Sequence, residues 1–322
     1  MSLCRFGIIG AGNIAARFCD AVKNVEGAEV AAVASTSAAR ASDFAARCHV
    51  PAFYASYEAM LQRADIDAVY IATTHNFHKE NILLALSHGK HVLCEKPMVL
   101  TRADAEEVFR EAAARGLFLM EAMWSCFLPA YQKAKEWVES GRIGTVHSAM
   151  GALGFHCDQN PEGRLLNPAL AGGGMYDIGV YAIEPLRYLI GEPIVEVHGV
   201  WRPHPVTGVD ERAALLLRTA SCDISLQCSI SANVREFSVL NGSDGYVECP
   251  CIISLQTVRL YDKHRCLAEE FHAPWENGFE FQIEHVLQCL AAGKLTSDVV
   301  TPQITMESAA VYDAVLRGQS MR

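Results

Sequence analysis

The sequence predicts an α/β protein with an N-terminal doubly wound parallel sheet and a C-terminal α+β domain that carries a large open, mostly antiparallel sheet. Up to residue 122, short apolar strands alternate with amphipathic helices, the pattern of a parallel sheet covered on both faces. After Pro193, strand-like runs follow one another without helices between them, as in antiparallel sheets. We therefore predict two domains, residues 1–122 and 123–322.

Composition narrows the range of partners. The 322 residues are 51% hydrophobic and carry a formal net charge of −10, which suits two domains with cores of their own. No block rich in lysine or arginine occurs, so we expect neither a nucleic-acid partner nor an anionic membrane surface. No apolar run approaches the roughly 18 residues that span a bilayer, and the N-terminus enters a strand pattern without a signal-peptide pattern.

The cysteine pattern indicates a reducing compartment. Most of the 12 cysteines lie in apolar runs, and the closest pair in sequence is Cys249-Pro-Cys251. Such residues are typical of buried, reduced thiols that pack as small hydrophobic groups. We expect a cytoplasmic protein without a structural metal site.

A glycine-rich turn follows the first strand. Cys4–Gly10 is apolar, and Gly10-Ala11-Gly12-Asn13-Ile14-Ala15 opens a helical pattern that continues to about Val25. A Gly-x-Gly-x-x-Gly/Ala turn between a strand and a helix is the Rossmann dinucleotide fingerprint, in which the helix N-terminus receives the pyrophosphate. The pattern predicts cofactor contacts from Gly10, Gly12, Asn13 and Ile14.

The end of the second strand favours NADP over NAD. Strand 29–34 is followed by Ser35-Thr36-Ser37, and Arg40 comes one helical turn later. A carboxylate at this place holds the adenosine ribose of NAD, and none is present. Hydroxyls with a nearby guanidinium suit a 2′-phosphate, so we predict that Ser35, Thr36 and Arg40 bind NADP. NAD stays possible, and Arg40 as a solvated helix residue is the alternative.

Two later strands end in polar residues. Strand 68–73 leads into Thr73-Thr74-His75-Asn76-Phe77-His78, and strand 90–96 ends in Glu95-Lys96-Pro97. Ligands of open α/β sheets bind outside the carboxyl ends of the strands. We predict that Thr73, His75, His78, Glu95 and Lys96 line the cofactor cleft. Metal binding by the histidine pair is less favoured because no third ligand is evident nearby, and Lys96 as a plain strand end is the alternative.

A glycine turn in the second domain precedes a helical pattern over residues 175–190. Asp177 and Tyr181 stand at i and i+4 of this pattern, which places a carboxylate and a phenol on one face. The polar, proline-containing segment 156–171 before the turn is long enough to cover a functional site. A core tyrosine on an amphipathic helix is the competing interpretation of Tyr181.

Together these motifs resemble the glucose–fructose oxidoreductase/inositol dehydrogenase (Gfo/Idh/MocA) family. The resemblance rests on four motifs: the glycine fingerprint, Thr73-Thr-His-Asn-Phe-His78, Cys94-Glu-Lys-Pro97 and Gly172-Gly-Gly-Met-Tyr-Asp177-Ile-Gly-Val-Tyr181. It extends over nearly the whole chain. Met120-Glu-Ala-Met-Trp124 is similar to the branch with dimeric dihydrodiol dehydrogenases and NADP-dependent D-xylose dehydrogenases. That branch has an arginine where this chain has Cys126.

The resemblance implies an NAD(P)-dependent dehydrogenase that acts on a sugar or a cyclic vicinal diol. It supports Lys96 and Tyr181 as a catalytic pair, and it implies a homodimer or higher oligomer through the outer face of the C-terminal sheet. Tyrosine titrates near pH 10, and a nearby ammonium lowers that pKa. Our hypothesis makes Tyr181 the proton acceptor, Lys96 its electrostatic partner and Asp177 the residue that orients the substrate. Glu95 then orients Lys96 or contacts the cofactor ribose, with a structural ion pair as the alternative. Trp124 stacks near the nicotinamide or packs in the core.

Two other functions stay open from the sequence. One is a non-catalytic NAD(P)-binding sensor. The absence of the branch's arginine at Cys126 favours this function, whereas the presence of both Lys96 and Tyr181 argues against it. The other is a glycoside-cleaving relative that retains its cofactor and oxidises the substrate transiently.

Overall fold

The computed structural model describes residues 3–319. The chain divides into two compact units. The first takes in the chain up to Val99 together with Ala103–Trp124 and Glu276–Pro302, and the second consists of Leu100–Arg102, Ser125–Trp275 and the chain from Gln303 onward. The division differs from the single boundary predicted after residue 122, because the chain returns to the first unit near its C-terminal end.

The first unit contains a six-stranded, all-parallel sheet in the order β3-β2-β1-β4-β5-β6. Its strands are β1 (Cys4–Ile9), β2 (Ala28–Ala34), β3 (Phe53–Tyr54), β4 (Ala68–Ile71), β5 (His91–Glu95) and β6 (Leu119–Ala122). The strand order reverses between β1 and β4, and the carboxyl ends of strands at such a reversal form the usual ligand crevice of open α/β sheets. The predicted doubly wound sheet is confirmed.

Helices connect these strands: α1 (Asn13–Val22), α2 (Ala38–Cys48), α3 (Tyr57–Leu61), α4 (His78–Ser87) and α5 (Arg102–Ala114). Strands β4 and β6 are buried along their whole length, as expected of a sheet covered on both faces. A later helix, α8 (Phe279–Ala291), belongs to this unit as well. It packs against α1, and a Cβ added to Gly27 would meet the side chain of Leu287 at 3.9 Å.

The second unit contains an eight-stranded sheet in the order β14-β13-β12-β11-β7-β10-β9-β8. The strands are β7 (Val146–His156), β8 (Glu196–Pro203), β9 (Asp210–Arg218), β10 (Asp223–Ser229), β11 (Ser231–Gly242), β12 (Gly245–Cys249), β13 (Thr257–Asp262) and β14 (Leu267–His272). All neighbouring pairs are antiparallel except β7 with β10. The predicted mostly antiparallel sheet is therefore confirmed.

One face of this sheet is covered and the other is open to solvent. Buried and exposed residues alternate along β9, and the helices α6 (Pro129–Glu139) and α7 (Val180–Ile190) pack against one another. Helix α7 also packs on the central strands, where Leu186 lies over Gly151. The last helix is α9 (Pro302–Arg317). Met150, Val200 and Leu216 are exposed on the opposite face.

Every cysteine is a free thiol, and all are buried except Cys251 and Cys266. Burial raises the pKa of most of these thiols, to about 12 at Cys4, Cys19, Cys222, Cys228 and Cys249. Such thiols stay protonated and unreactive. Within residues 3–319, no helix combines the length and the apolar composition that a membrane crossing requires.

Candidate active site

The glycine turn after β1 approaches the backbone after β4 closely and leaves space at the start of α1. Gly10 has a φ of +103°, and a Cβ there would lie 2.7 Å from the carbonyl oxygen of Ala72. A Cβ on Gly12 would meet no atom within 4 Å, so open space lies beside the start of α1. Asn13 is exposed and Ile14 half-buried, and the first turn of α1 carries no acidic residue. These residues fit a pyrophosphate at the helix N-terminus.

At the end of β2, the predicted phosphate-binding residues lie together. Nη2 of Arg40 donates to Oγ1 of Thr36 at 3.1 Å, and the backbone N–H of Arg40 donates to Oγ of Ser37 at 3.4 Å. Ser35 is buried, whereas Thr36 and Arg40 are exposed. The exposed hydroxyl and guanidinium fit a 2′-phosphate, because both donate hydrogen bonds to phosphate oxygens.

The loop after β4 leads to a histidine, His78, whose two ring nitrogens both lie beside backbone carbonyl oxygens. His78 has no exposed surface, and its Nδ1 and Nε2 lie 2.9 Å from the carbonyl oxygen of Pro97 and 3.1 Å from that of Thr73. The cofactor contact predicted for His78 therefore has no ring nitrogen to form it. Burial lowers the pKa of His78, although the two carbonyl contacts act in the opposite direction.

Two other residues of this loop are also buried or half-buried. His75 is buried, and its ring and that of His78 are in a T-shaped arrangement with 5.8 Å between centroids. Asn81 donates to Oγ1 of Thr73 at 3.2 Å. Thr73 thus lies at the carboxyl end of β4 with its hydroxyl held by α4, in the position predicted for a residue that lines the crevice.

Buried polar groups hold the segment around Lys96. Glu95 is 6% exposed and accepts a hydrogen bond from the hydroxyl of Tyr70. Glu121 is 1% exposed and accepts the backbone N–H of Met98 at 2.7 Å. The Lys96–Pro97 peptide bond is cis. Burial raises the pKa of Glu95, and the Tyr70 hydroxyl and the charge of Lys96 partly oppose that rise.

Two buried residues of this segment, Tyr70 and Glu121, are not among the residues that the sequence predicted. Nothing in the sequence marks Tyr70 as a site residue, because tyrosine is common in apolar strands. Glu121 is marked by its surroundings in the sequence, because it is the lone charged residue in the apolar run Leu117–Trp124. A buried carboxylate requires hydrogen-bond donors, and the backbone after Lys96 supplies one.

Trp124 packs in the core of the first unit, where it is 2% exposed. Its ring lies 5.3 Å from that of Phe279, and the guanidinium of Arg17 lies 4.4 Å from the Trp124 centroid and 4.3 Å from that of Phe279. Arg17 also donates to the backbone carbonyl of Asn277. Trp124 therefore has the surroundings of a core residue. Arg17 is not among the residues that the sequence predicted for the site.

Cys126 is fully buried in the second unit, and Gln132 donates to its backbone carbonyl at 2.6 Å. The chain has no arginine at position 126. The guanidinium that lies beside Trp124 belongs to Arg17 of α1.

Asp177 and Tyr181 lie on one continuous helical stretch of the second unit. A π-helical turn, Met175–Gly179, leads directly into α7. Asp177 is 6% exposed and Tyr181 7% exposed. Such π-turns are frequent at functional sites. Nη1 of Arg164 donates to Oδ1 of Asp177 at 2.6 Å. Lys96 belongs to the first unit, and Asp177 and Tyr181 belong to the second.

A buried carboxylate holds the start of this stretch. Asp210, at the beginning of β9, accepts the backbone N–H of Met175 at 2.6 Å and is 4% exposed. Burial raises the pKa of Asp210 to about 7, while hydrogen bonds from the backbone lower it. Neither Asp210 nor Arg164 stands at a motif spacing, so the sequence predicted no role for them.

One cluster in the first unit combines metal-type donors among residues 3–319: His285, Cys289 and Asp298. Other partners already engage its atoms. Nε2 of His285 is 2.8 Å from Oγ of Ser297, and Lys294 donates to Asp298 at 2.8 Å. His75 and His78 are not part of this cluster.

Comparison with known proteins agrees with this geometry. Residues 4–123 match an oxidoreductase family with an NAD-binding Rossmann fold, GFO/IDH/MocA, and residues 131–248 match the C-terminal domain of the same family. The trans-1,2-dihydrobenzene-1,2-diol dehydrogenase of Mus musculus is 33% identical over 305 residues, which cover 92% of this chain and 91% of that protein. The enzyme of the same name from Homo sapiens is 31% identical over 310 residues, with the same coverage.

Two solved structures resemble the whole chain, each covering 98% of both proteins. A 3-ketoreductase from Actinomadura kijaniata in complex with NADP and TDP-benzene gives a TM-score of 0.87 at 28% identity. An aldose–aldose oxidoreductase from Caulobacter crescentus in complex with glycerol gives 0.87 at 26% identity. The chain belongs to the GFO/IDH/MocA family of oxidoreductases and is an enzyme of the dehydrogenase type.

Proposed function

We propose that this protein is an NADP-dependent dehydrogenase that oxidises a hydroxyl-bearing carbon of a sugar or a cyclic vicinal diol. The observation that carries the proposal is the pairing of two features in one family member: a dinucleotide turn with an adjoining Thr36–Arg40 pair, and a helix that bears Asp177 and Tyr181. The diol dehydrogenase relatives support the diol class, and the ketoreductase and aldose–aldose oxidoreductase support the sugar class.

The choice of NADP rests on charge. An NAD site usually places a carboxylate at the end of the second strand, and this chain places Ser35, Thr36 and Arg40 there. An exposed guanidinium attracts the 2′-phosphate, whereas it gives a plain ribose hydroxyl no comparable charge partner. The A. kijaniata relative was crystallised with NADP, which supports the same choice.

In the proposed chemistry, Tyr181 accepts the proton of the substrate hydroxyl, and a nicotinamide held at the glycine turn would accept the hydride. Tyrosine ordinarily titrates near pH 10, so Tyr181 requires a positive neighbour to act as a base at neutral pH. Lys96 takes that role, because an ammonium within about 4–6 Å stabilises a phenolate. Asp177 orients the substrate by accepting a hydrogen bond from a second hydroxyl.

Substitution of the two central residues tests this function. Tyr181→Phe and Lys96→Met are each expected to lower kcat by more than about 100-fold, the range of general acid–base catalysis. NADPH formation is followed with a panel of aldoses and cyclic diols. Tyr176→Phe is the matched control, because it removes a phenol hydroxyl from the same turn as Asp177, one that accepts a hydrogen bond from Arg317 of α9. A loss below tenfold in both variants, with NADP binding intact by fluorescence, would reject the acid–base roles.

We also propose that the open face of the eight-stranded sheet joins two copies of the chain. Met150, Val200 and Leu216 are 44%, 71% and 60% exposed there. Exposed apolar patches on a sheet usually mark an interface. Self-association through this face would bury them without involving the residues proposed for catalysis.

A further inference from the structure

An ion pair joins the proposed substrate helix to the segment that precedes it. Arg164 lies in residues 157–171, between β7 and the triple-glycine turn, and its Nη1 is 2.6 Å from Oδ1 of Asp177. The side chain of Asp177 is 9% exposed, whereas that of Arg164 is 49% exposed. The pair therefore has a buried acidic end and a solvent-facing guanidinium.

The backbone fixes Arg164 in this position. Gly173 donates to the carbonyl of Leu165 at 2.9 Å, and Gly172 donates to that of Asn167 at 3.1 Å. A Cβ on Gly172 would lie 2.6 Å from the carbonyl oxygen of Leu165 and 2.9 Å from that of Arg164. The absence of a side chain at Gly172 thus lets residues 164–167 lie directly against the turn that leads into Asp177.

The chemistry of this pair suits a particular substrate class. A guanidinium carries five N–H donors in a planar fork, and the contact with Asp177 engages Nη1. Parallel donors of this kind match two oxygen atoms held side by side, as in a carboxylate. Asp177 balances the charge of Arg164, however, so an anionic substrate gains little. Two uncharged oxygens on adjacent carbons fit better.

We propose that Arg164 recognises the substrate by donating hydrogen bonds to a hydroxyl oxygen next to the one that is oxidised. The inference rests on the proposed roles of Asp177 and Tyr181 and makes them more specific: the substrate carries vicinal hydroxyls, one read by Arg164 and Asp177 and the other deprotonated by Tyr181. Arg164 then determines specificity and takes no part in the proton transfer.

Paired substrates test the proposal. Wild type, Arg164→Ala and Arg164→Lys are compared on trans-cyclohexane-1,2-diol against cyclohexanol, and on D-glucose against 2-deoxy-D-glucose, each with NADP. Arg164→Ala is expected to lower kcat/KM for the vicinal compound by about 100-fold, the size of a lost charged hydrogen bond, mostly through KM. Cyclohexanol lacks the neighbouring hydroxyl, and so does 2-deoxy-D-glucose for oxidation at C1, so kcat/KM for these two compounds should change less than about threefold. The values for Arg164→Lys should fall between those of wild type and Arg164→Ala.

Controls separate this role from a structural one. Arg212→Ala removes a guanidinium that is 59% exposed in the same unit, and it should leave the preference for vicinal compounds unchanged. If Arg164→Ala lowers kcat/KM equally for both compounds of each pair, Arg164 only supports Asp177 and the proposal is wrong.

Binding measurements keep this test separate from the proposed function. If wild type oxidises none of the four compounds, their dissociation constants are measured by calorimetry on the NADP-loaded protein. A vicinal preference in wild type that disappears in Arg164→Ala supports recognition by Arg164 even though the proposed oxidation fails. If wild type binds the two compounds of each pair with equal dissociation constants, the proposed recognition by Arg164 is wrong.

Discussion

A Cβ atom on Gly173 would lie 2.1 Å from Oδ1 of Asp210. Gly173 has a φ of +123°, which side chains rarely tolerate, and the carboxylate of Asp210 fills the space beside it. The same carboxylate accepts the N–H of Met175. The turn and the acid together determine where the helical stretch with Asp177 and Tyr181 begins.

Gly173→Ala is therefore expected to destabilise the protein by more than about 2 kcal/mol, because both the backbone conformation and the Asp210 contact are lost. Urea unfolding measures this. Gly208→Ala is the control, since Gly208 has a φ of +77° and a Cβ there meets no atom within 4 Å. A similar loss in both variants would mean that the conformation, and not the contact with Asp210, accounts for the effect.

Asp210 should make stability depend on pH. Its pKa of about 7 lies above the ordinary 3.8, so the folded state binds a proton that the unfolded state lacks between these values. The stabilisation is present in full below pH 3.8 and is lost as the pH rises through 7. Over this range the free energy of unfolding falls by about 4 kcal/mol. Asp210→Asn removes this titration. The unfolding free energy of wild type minus that of Asp210→Asn should fall between pH 5 and pH 8, and a flat difference would contradict the assignment.

His78 should act through the backbone and not through the cofactor. His78→Phe removes the ring nitrogens that contact the carbonyls of Thr73 and Pro97. Because a neutral imidazole has one N–H, one of these buried carbonyls loses its donor, at a cost of about 1–3 kcal/mol. We expect a lower unfolding free energy and a lower kcat, because Pro97 adjoins Lys96. His264→Phe, at an exposed position, is the control. Unchanged stability in His78→Phe would show that the two contacts contribute little.

Arg40 should discriminate between the two nicotinamide cofactors. Arg40→Ala is expected to raise KM for NADP by about 10- to 100-fold through loss of a charged hydrogen bond, with KM for NAD nearly unchanged. Arg47→Ala on the same helix is the matched control, because Arg47 is also exposed and packs over Phe44. Equal effects of Arg40→Ala on both cofactors would remove the argument for NADP.

A charge on the open sheet face should weaken self-association. Leu216→Glu is expected to shift the mass measured by light scattering from that of a dimer or higher oligomer to that of one chain, because a carboxylate is costly to bury. Val206→Glu introduces the same charge at a residue that is 74% exposed outside the strands. It should leave the mass unchanged. A wild-type protein that sedimented as a single chain would refute the proposed interface.

Local patterns in the sequence were sufficient for much of the fold and for naming candidate site residues. The glycine fingerprint, the strand–helix alternation and the runs of strands after Pro193 depend on residues close together in the chain, where backbone conformation and apolar periodicity act directly. They predicted both sheets, and they marked the glycine turn, Thr36 and Arg40 as candidate cofactor-binding residues. The i and i+4 spacing likewise placed Asp177 and Tyr181 on one helical stretch.

Only the tertiary structure showed which polar groups hold these motifs in place. Tyr70, Glu121 and Asp210 are distant in sequence from the backbone groups and side chains they bind, and no spacing rule connects them. The return of α8 to the first unit and the packing of Arg17 on Trp124 are also long-range. Buried hydrogen-bonding groups require partners wherever the fold brings them. A strand ending in Glu95-Lys96-Pro97 therefore indicates where chemistry is expected, whereas the supports around Lys96 follow from the packing of the whole unit.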